Sequence, residues 1–318
     1  MQDKHKLKRL LITGISGLLG NNLGLFFKQK YEILGLCHAH DVHIDGIQIQ
    51  SCDLISKEAA QKIIETFQPR IIIHCAALSK PDQCEDNQDL AYQSNVVATQ
   101  NIIESIDSAK TKYVHISTDA VFDGTKGNYN ETDEPNPPHF YGKTKWEGEQ
   151  ASLKIANALI ARINIFGWNI QDKQSLAEWM VGELFQKREI NGFTDAIFSS
   201  IYTFELAKML EQALDRDLAG VYHFGSRTSM SKYQFAVELA KIFNLDENLI
   251  KPSSVDQFEF KAARARDLSL DVSKLTRDLG EELPTLQESI EAFHRDFSDG
   301  LPKRIKQNVV SNVKGSTQ

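Results

Sequence analysis

An alternation in the first half of the chain limits the available folds more than any other feature. Between residues 9 and 163, short β-compatible apolar runs (9–13, 32–37, 47–52, 70–75, 113–117 and 158–163) alternate with segments of helical spacing (18–29, 57–67, 89–107 and 141–154). Strands that are apolar throughout suit burial on both faces, and helical crossovers return the chain to the same end of a parallel neighbour. The pattern predicts an α/β fold, a doubly wound parallel sheet of Rossmann type covered by helices on both sides. From Trp168 the rhythm weakens, and residues 176–186, 203–215, 231–243, 273–279 and 286–293 read as amphipathic helices separated by short strands. The expected organisation is a Rossmann domain over 1–167, a smaller interleaved C-terminal domain mainly over 168–300, and a flexible tail over 301–318.

Composition removes several alternatives. With 41% hydrophobic and 25% charged residues in 318, the chain can bury a sizeable core and is neither disordered nor fibrous. A net charge of −7 supplies no basic field, so neither nucleic acid nor an anionic membrane is an expected partner. Cys37, Cys52, Cys75 and Cys84 form no CxxC pair and read as reduced thiols of a cytoplasmic protein. The charged start, followed by only a short apolar run, matches neither a signal peptide nor a membrane span.

Two motifs carry chemistry. The run Leu10-Leu11-Ile12-Thr13-Gly14-Ile15-Ser16-Gly17-Leu18-Leu19-Gly20 is a strand entering glycines at i, i+3 and i+6 and then a helix. Such glycines permit a tight turn, approach of backbone to a pyrophosphate, and close packing of helix on strand, while the helix N-terminus offers unpaired N–H groups. Tyr141-Gly142-Lys143-Thr144-Lys145 places a phenol and an ammonium at i and i+4 on one helix face, where the cation can favour phenolate. Ser117-Thr118-Asp119 closes a predicted strand, the edge at which an open α/β sheet gathers its site residues.

Taken with Asp53-Leu54, Ala76-Ala77, Asn95 and the continuation Ala120-Val121-Phe122-Asp123-Gly124, these motifs resemble the extended short-chain dehydrogenase/reductases, and within them the dTDP-4-dehydrorhamnose reductase group. The resemblance runs from about Lys8 to Phe293. It implies that Gly14, Ile15, Ser16, Gly17, Leu18 and Leu19 wrap a nicotinamide dinucleotide's pyrophosphate, and that Asp53 and Leu54 hold the adenine edge. Ala76 and Ala77 would line the ribose and nicotinamide path, and Asn95 would support a water next to the lysine. Thr118, Tyr141 and Lys145 match the catalytic trio: Tyr141 protonates the developing alkoxide, Lys145 lowers its pKa and holds the nicotinamide ribose, and Thr118 bonds the substrate oxygen. Asp119 falls at a further substrate contact. The smaller domain is then substrate-binding, with Arg264 and Arg266 as partners for a nucleotide diphosphate.

The implied activity is NAD(P)H-dependent reduction of a 4-keto nucleotide-activated deoxysugar, of the kind used in polysaccharide biosynthesis, by a homodimer paired through the helices at 89–107 and 141–154. Three positions depart from the group: Ala120 replaces tyrosine, Ala265 replaces proline, and Arg162-Ile163-Asn164-Ile165 replaces an Arg-Thr-Ser-Trp run that carries a sugar-stacking aromatic. The end of the second strand, Gly35-Leu36-Cys37-His38-Ala39-His40, has no carboxylate before Asp41 to accept from a ribose 2′-OH, which favours NADP(H) over NAD(H) and puts His38 near the adenosine. Cys37, His38, His40 and His43 match no closed tetrahedral spacing, so no metal site is expected. Two rival functions remain, an epimerase on the same fold and a cofactor-binding regulatory subunit of another enzyme; a dehydratase is disfavoured because Ala120, not Glu, follows Asp119.

Overall fold

The computed structural model of the chain describes residues 7–38, 40–171 and 173–307. Its centre is a seven-stranded sheet with every pair of neighbours parallel. Strands β1 (Lys8–Thr13), β2 (Tyr31–Cys37) and β3 (Gln48–Ser51) run outward to one edge. The chain then returns past β1 to lay down β4 (Ile71–His74), β5 (Lys112–Thr118) and β6 (Leu159–Ile163) on the other side. The direction of winding reverses between β1 and β4, and the loops leaving those two strands open a crevice at the carboxyl edge.

The alternation of side chains across the pleat accounts for the two layers. Leu10 and Ile12 of β1, Ile71 and Ile73 of β4, and Val114 and Ile116 of β5 enter one buried cluster. Leu11, Ile72 and Tyr113 enter the other. On the first face pack α1 (Leu18–Phe27) through Leu19, Leu23 and Phe27, and on the second pack α2 (Lys57–Phe67) through Ile63 and Ile64. The region predicted as one helix over 89–107 is composite. It follows α3 (Pro81–Asp86) and consists of α4 (Gln88–Tyr92), a π-turn over Gln93–Val97 and α5 (Ala98–Ser105). Then come α6 (Phe140–Ser152), α7 (Leu176–Phe185), α8 (Thr203–Asp215), α9 (Lys232–Ile242), α10 (Ser273–Leu279), α11 (Leu286–Ser298) and α12 (Leu301–Lys306).

The seventh strand, Gly220–Phe224, completes the main sheet beside β6, so the later half of the chain is interleaved with the first. One expectation is corrected here. Residues 301–306, expected to belong to a flexible tail, are the helix α12, anchored by buried Leu301 and Ile305; residues 308–318 lie outside the described set. The later half thus contributes both to the central sheet and to a smaller layer of two- and three-stranded sheets. One of these joins Ile197–Phe198 to Met230–Ser231 and Asp267–Leu268, and another joins Ile190–Phe193 to Ile250–Ser253. No described helix is long and apolar enough to cross a membrane.

Candidate active site

The turn after β1 folds as its glycines require. Gly14 has φ +68, and a Cβ there would lie 2.8 Å from the backbone nitrogen of Ala76, so the β1 and β4 loops touch only because Gly14 lacks a side chain. Helix α1 begins at Leu18 with Gly17 as its N-cap and no side-chain cap, which leaves the first-turn N–H groups, including those of Leu18 and Leu19, facing the crevice mouth without an intrahelical acceptor. This cradle fits a pyrophosphate. Ile15 does not join it as expected: its N–H is bound to the Leu36 carbonyl at 3.0 Å, and its side chain is fully buried against Gly24 and Gly35. It shapes the loop from beneath.

Thr13, His74 and Thr99 set the opposite wall. Thr13 Oγ1 accepts from the N–H groups of Cys75 and Ala76, each at 3.1 Å, and lies 2.8 Å from His74 Nδ1. Having accepted from both amides, it gives its own proton to Nδ1. His74 Nε2–H then faces Thr99 Oγ1 at 3.1 Å, and Thr99 donates to the Asn95 carbonyl. Ala76 and Ala77 are thereby fixed at the crevice, half-buried. Asn95, expected to hold a water, spends its amide differently: Oδ1 accepts from Leu78 N at 2.8 Å, and Nδ2 donates to Leu78 O and to Thr144 Oγ1. It fastens the β4 loop to α6. Asp53 stands exposed after β3 and accepts from Ile55 N, while Asn101 holds the Leu54 carbonyl. His38 is exposed in the bend after β2, and Asp41 turns back to within 3.9 Å of Cys37 Sγ.

The chemical residues converge where β5 ends. Thr118 is its last residue, and Asp119–Val121 form one 3₁₀ turn. Gly142 lets the start of α6 press on that turn, because a Cβ there would run into the Ala120 carbonyl and lie 2.8 Å from Pro137 Cβ. Further restraint comes from Glu85 of α3, whose Oε1 accepts from Phe140 N at 2.7 Å. Tyr141 is consequently half-buried beside Thr118. Burial raises its phenol well above the ordinary value, a hydrogen bond with Thr118 opposes this, and Asp119 and Cys84 add to the rise. Lys145, expected to lower that pKa, acts elsewhere in this arrangement: its ammonium donates to the Ile116 carbonyl at 2.7 Å and lies 3.3 Å from His115 Nε2. Burial brings Lys145 down to about 8 against the fields of Glu149 and Cys75.

Asp119 is 3% exposed; its Oδ1 accepts from Thr118 Oγ1 at 3.0 Å and its Oδ2 from Asn164 Nδ2 at 2.7 Å. Burial still lifts the carboxyl to about 6, opposed by these bonds and by Lys232. Arg264 donates to Asp82 of α3 at 2.8 Å with its guanidinium 4.5 Å from the Phe260 ring, so it bridges the smaller layer to the site. Arg266 is engaged by two carboxylates, Asp195 and Asp256, and is not a free diphosphate partner. Lys232, not singled out in the sequence, is the cation that acts on Asp119 from α9.

Residues 8–298 match the family model described as RmlD substrate binding domain. The chain belongs to this family. Among RmlD-type relatives, a probable low-salt glycan biosynthesis reductase of Haloferax volcanii is 29% identical over 91% of this chain and 98% of that one. The methionine adenosyltransferase 2 subunit beta of Bos taurus is 32% identical over 95% and 91%. A solved dTDP-4-dehydrorhamnose reductase of Bacillus anthracis, in complex with NADP, superposes with TM-score 0.81 at 28% identity, covering 91% of this chain and 99% of the other. For this RmlD-family chain, Gly14→Ala is expected to destabilise the fold by about 1–3 kcal/mol through strain at positive φ. It should also weaken dinucleotide binding at least tenfold in a fluorescence titration; unchanged affinity would remove the β1 turn from the binding site.

Proposed function

We propose that this chain is a reductase of a 4-keto nucleotide-activated deoxysugar, similar to dTDP-4-dehydrorhamnose reductase, and that it uses NADP(H) in preference to NAD(H). The observation that carries the reading is that Thr118, the last residue of β5, and Tyr141, at the start of α6, meet at the sheet edge from which the uncapped glycine turn also leaves, with Lys145 one turn further along the same helix. Residues 14 and 16–19 would hold the pyrophosphate, Asp53 and Leu54 the adenine, and Ala76 and Ala77 the path to the nicotinamide. When bound, the cofactor supplies a hydride to the C4 carbonyl. A phenol held protonated by burial suits the other half of the reaction, donating its proton to the carbonyl oxygen. Thr118 and Asp119 orient that oxygen and the neighbouring hydroxyls, and Arg264 reaches the diphosphate from the smaller layer.

Support for NADP(H) comes from the absence of an acidic side chain at the end of β2 itself and from the NADP bound to the Bacillus relative. Asp41, folded back toward Cys37, is the residue able to oppose it. Asp41→Asn should therefore raise the ratio of kcat/KM for NADPH over NADH about tenfold; an unchanged ratio places Asp41 outside the ribose pocket.

A second reading, a regulatory subunit of an unrelated enzyme, is favoured by the 32% identity to the methionine adenosyltransferase 2 subunit beta. No comparable observation favours an epimerase. A turnover screen of NADH and NADPH against several 4-keto nucleotide sugars separates these readings. Stoichiometric cofactor oxidation supports the reductase, whereas no turnover together with copurification of a larger enzyme supports the subunit. We further propose a cytoplasmic homodimer, tested for its assembly by light scattering.

A further inference from the structure

Beneath the site lies a fully buried histidine that no step above uses. His115 points from β5 toward α6, where its Nε2 is 3.3 Å from Lys145 Nζ. Room for the ring is made at Gly148, three residues beyond the lysine, since a Cβ there would lie 3.2 Å from His115 Cε1 and 3.3 Å from Nε2. An ammonium has no lone pair, so the contact requires Nε2 to be the acceptor and the ring proton to reside on Nδ1, which faces Tyr113 Oη at 3.5 Å. Burial, and then Lys145 and His74, hold the imidazole neutral, as an acceptor must be. We propose that His115 is a positioning residue for Lys145. Its Nε2 and the Ile116 carbonyl take two of the three ammonium N–H groups, fix the side chain against β5 and favour its charged form.

The groups acting on this pair come from every side. Glu149 of α6, itself paired with Arg162 of β6, and Cys75 after β4 act on the lysine; His74 of β4 and Tyr113 of β5 adjoin the imidazole. His74 is engaged by Thr13 and Thr99, so it cannot take over the role of His115.

The link from Lys145 to catalysis rests on the reading of the preceding section, but its titration does not. The direct test is therefore a titration of the Lys145 side-chain ¹³Cε resonance in the full-length protein, assigned with Lys145→Met. The proteins compared are wild type, His115→Leu and His115→Gln, whose amide oxygen can still accept. Removing the acceptor disfavours the ammonium. The midpoint near 8 should fall by about one pH unit in the leucine variant and stay within a few tenths of wild type in the glutamine variant. Should His115→Leu fail to fold, His115→Asn, too short to reach Nζ, replaces it in the comparison.

NADPH affinity measured against pH should follow the same order, weakening about fivefold at pH 8 in the leucine variant, as the charged fraction of the lysine falls, with rescue by glutamine. Equal midpoints in all proteins, or a glutamine variant that shifts as far as leucine, would overturn the proposal. The expected lysine shifts across the three proteins, together with wild-type protein that oxidises no cofactor with any sugar, would overturn the functional reading alone.

Discussion

Tyr141→Phe is expected to lower reduction by roughly 10²–10⁴-fold, the range for loss of a positioned general acid. The fold and cofactor affinity should be nearly unchanged. Only a hydroxyl is removed, and the ring that stacks on His139 with centroids 6.0 Å apart remains. The effect should appear in kcat and kcat/KM together, because the proton passes only in the transition state. Steady-state kinetics with NADPH and a 4-keto nucleotide sugar, alongside a cofactor titration, make the measurement; unaltered turnover removes Tyr141 from the chemistry. Because burial keeps the phenol protonated, its own titration should not limit the reaction at neutral pH.

The second large effect is on stability. Arg162 and Glu149 form an ion pair in the floor of the site, with the two side chains 4% and 0% exposed. Arg162 Nε lies 3.0 and 3.2 Å from the two carboxylate oxygens, Nη2 donates at 2.8 Å, and Ser117 Oγ donates to Oε1 at 2.5 Å. The guanidinium also lies 5.0 Å from the Phe122 ring centroid. Arg162→Met leaves a buried carboxylate with a single hydroxyl partner, and about 3–5 kcal/mol of stability should be lost. Most of it should return in the double variant Arg162→Met/Glu149→Leu, since removing both charges removes the desolvation penalty with the attraction. Chemical denaturation measures both; a double variant as unstable as the single one would show that packing, not charge, dominates here.

The frame of the fold was legible because its signals are local. Five of the six strands from β1 to β6 are apolar runs bounded by polar turns, the exception being the edge strand β3, and Gly14, Thr118 and Tyr141 sit at strand or helix ends that the same pattern marks. What escaped depends on distant segments. Nothing in the five residues of the Gly220–Phe224 strand says which sheet it joins. The π-turn at Gln93–Val97 keeps the apolar spacing of a helix and so hides within one. Helix α3 did carry a signal, Pro81 at its first position, but has only six residues. In the site, Asn164 with Asp119, His115 with Lys145, and Arg266 with Asp195 meet across strands or layers, so no spacing in the chain announces them. The same holds for Ile15, whose N–H is spent on a carbonyl of the neighbouring strand.

The placement of that seventh strand has a temporal consequence. All five residues of β6 are buried, and β6 stands at the open edge of the sheet until Gly220–Phe224 arrives to pair with it. A nascent chain emerging from the ribosome completes its nucleotide-binding half only after about 60 further residues are made, roughly 3–12 s at ordinary synthesis rates. During that interval β6 presents unpaired backbone and apolar side chains, the conditions under which other chains add on edge to edge. Cutting the gene after residue 167 would make that transient state permanent. The two halves are a single inheritance unit, to be expressed, swapped or engineered together.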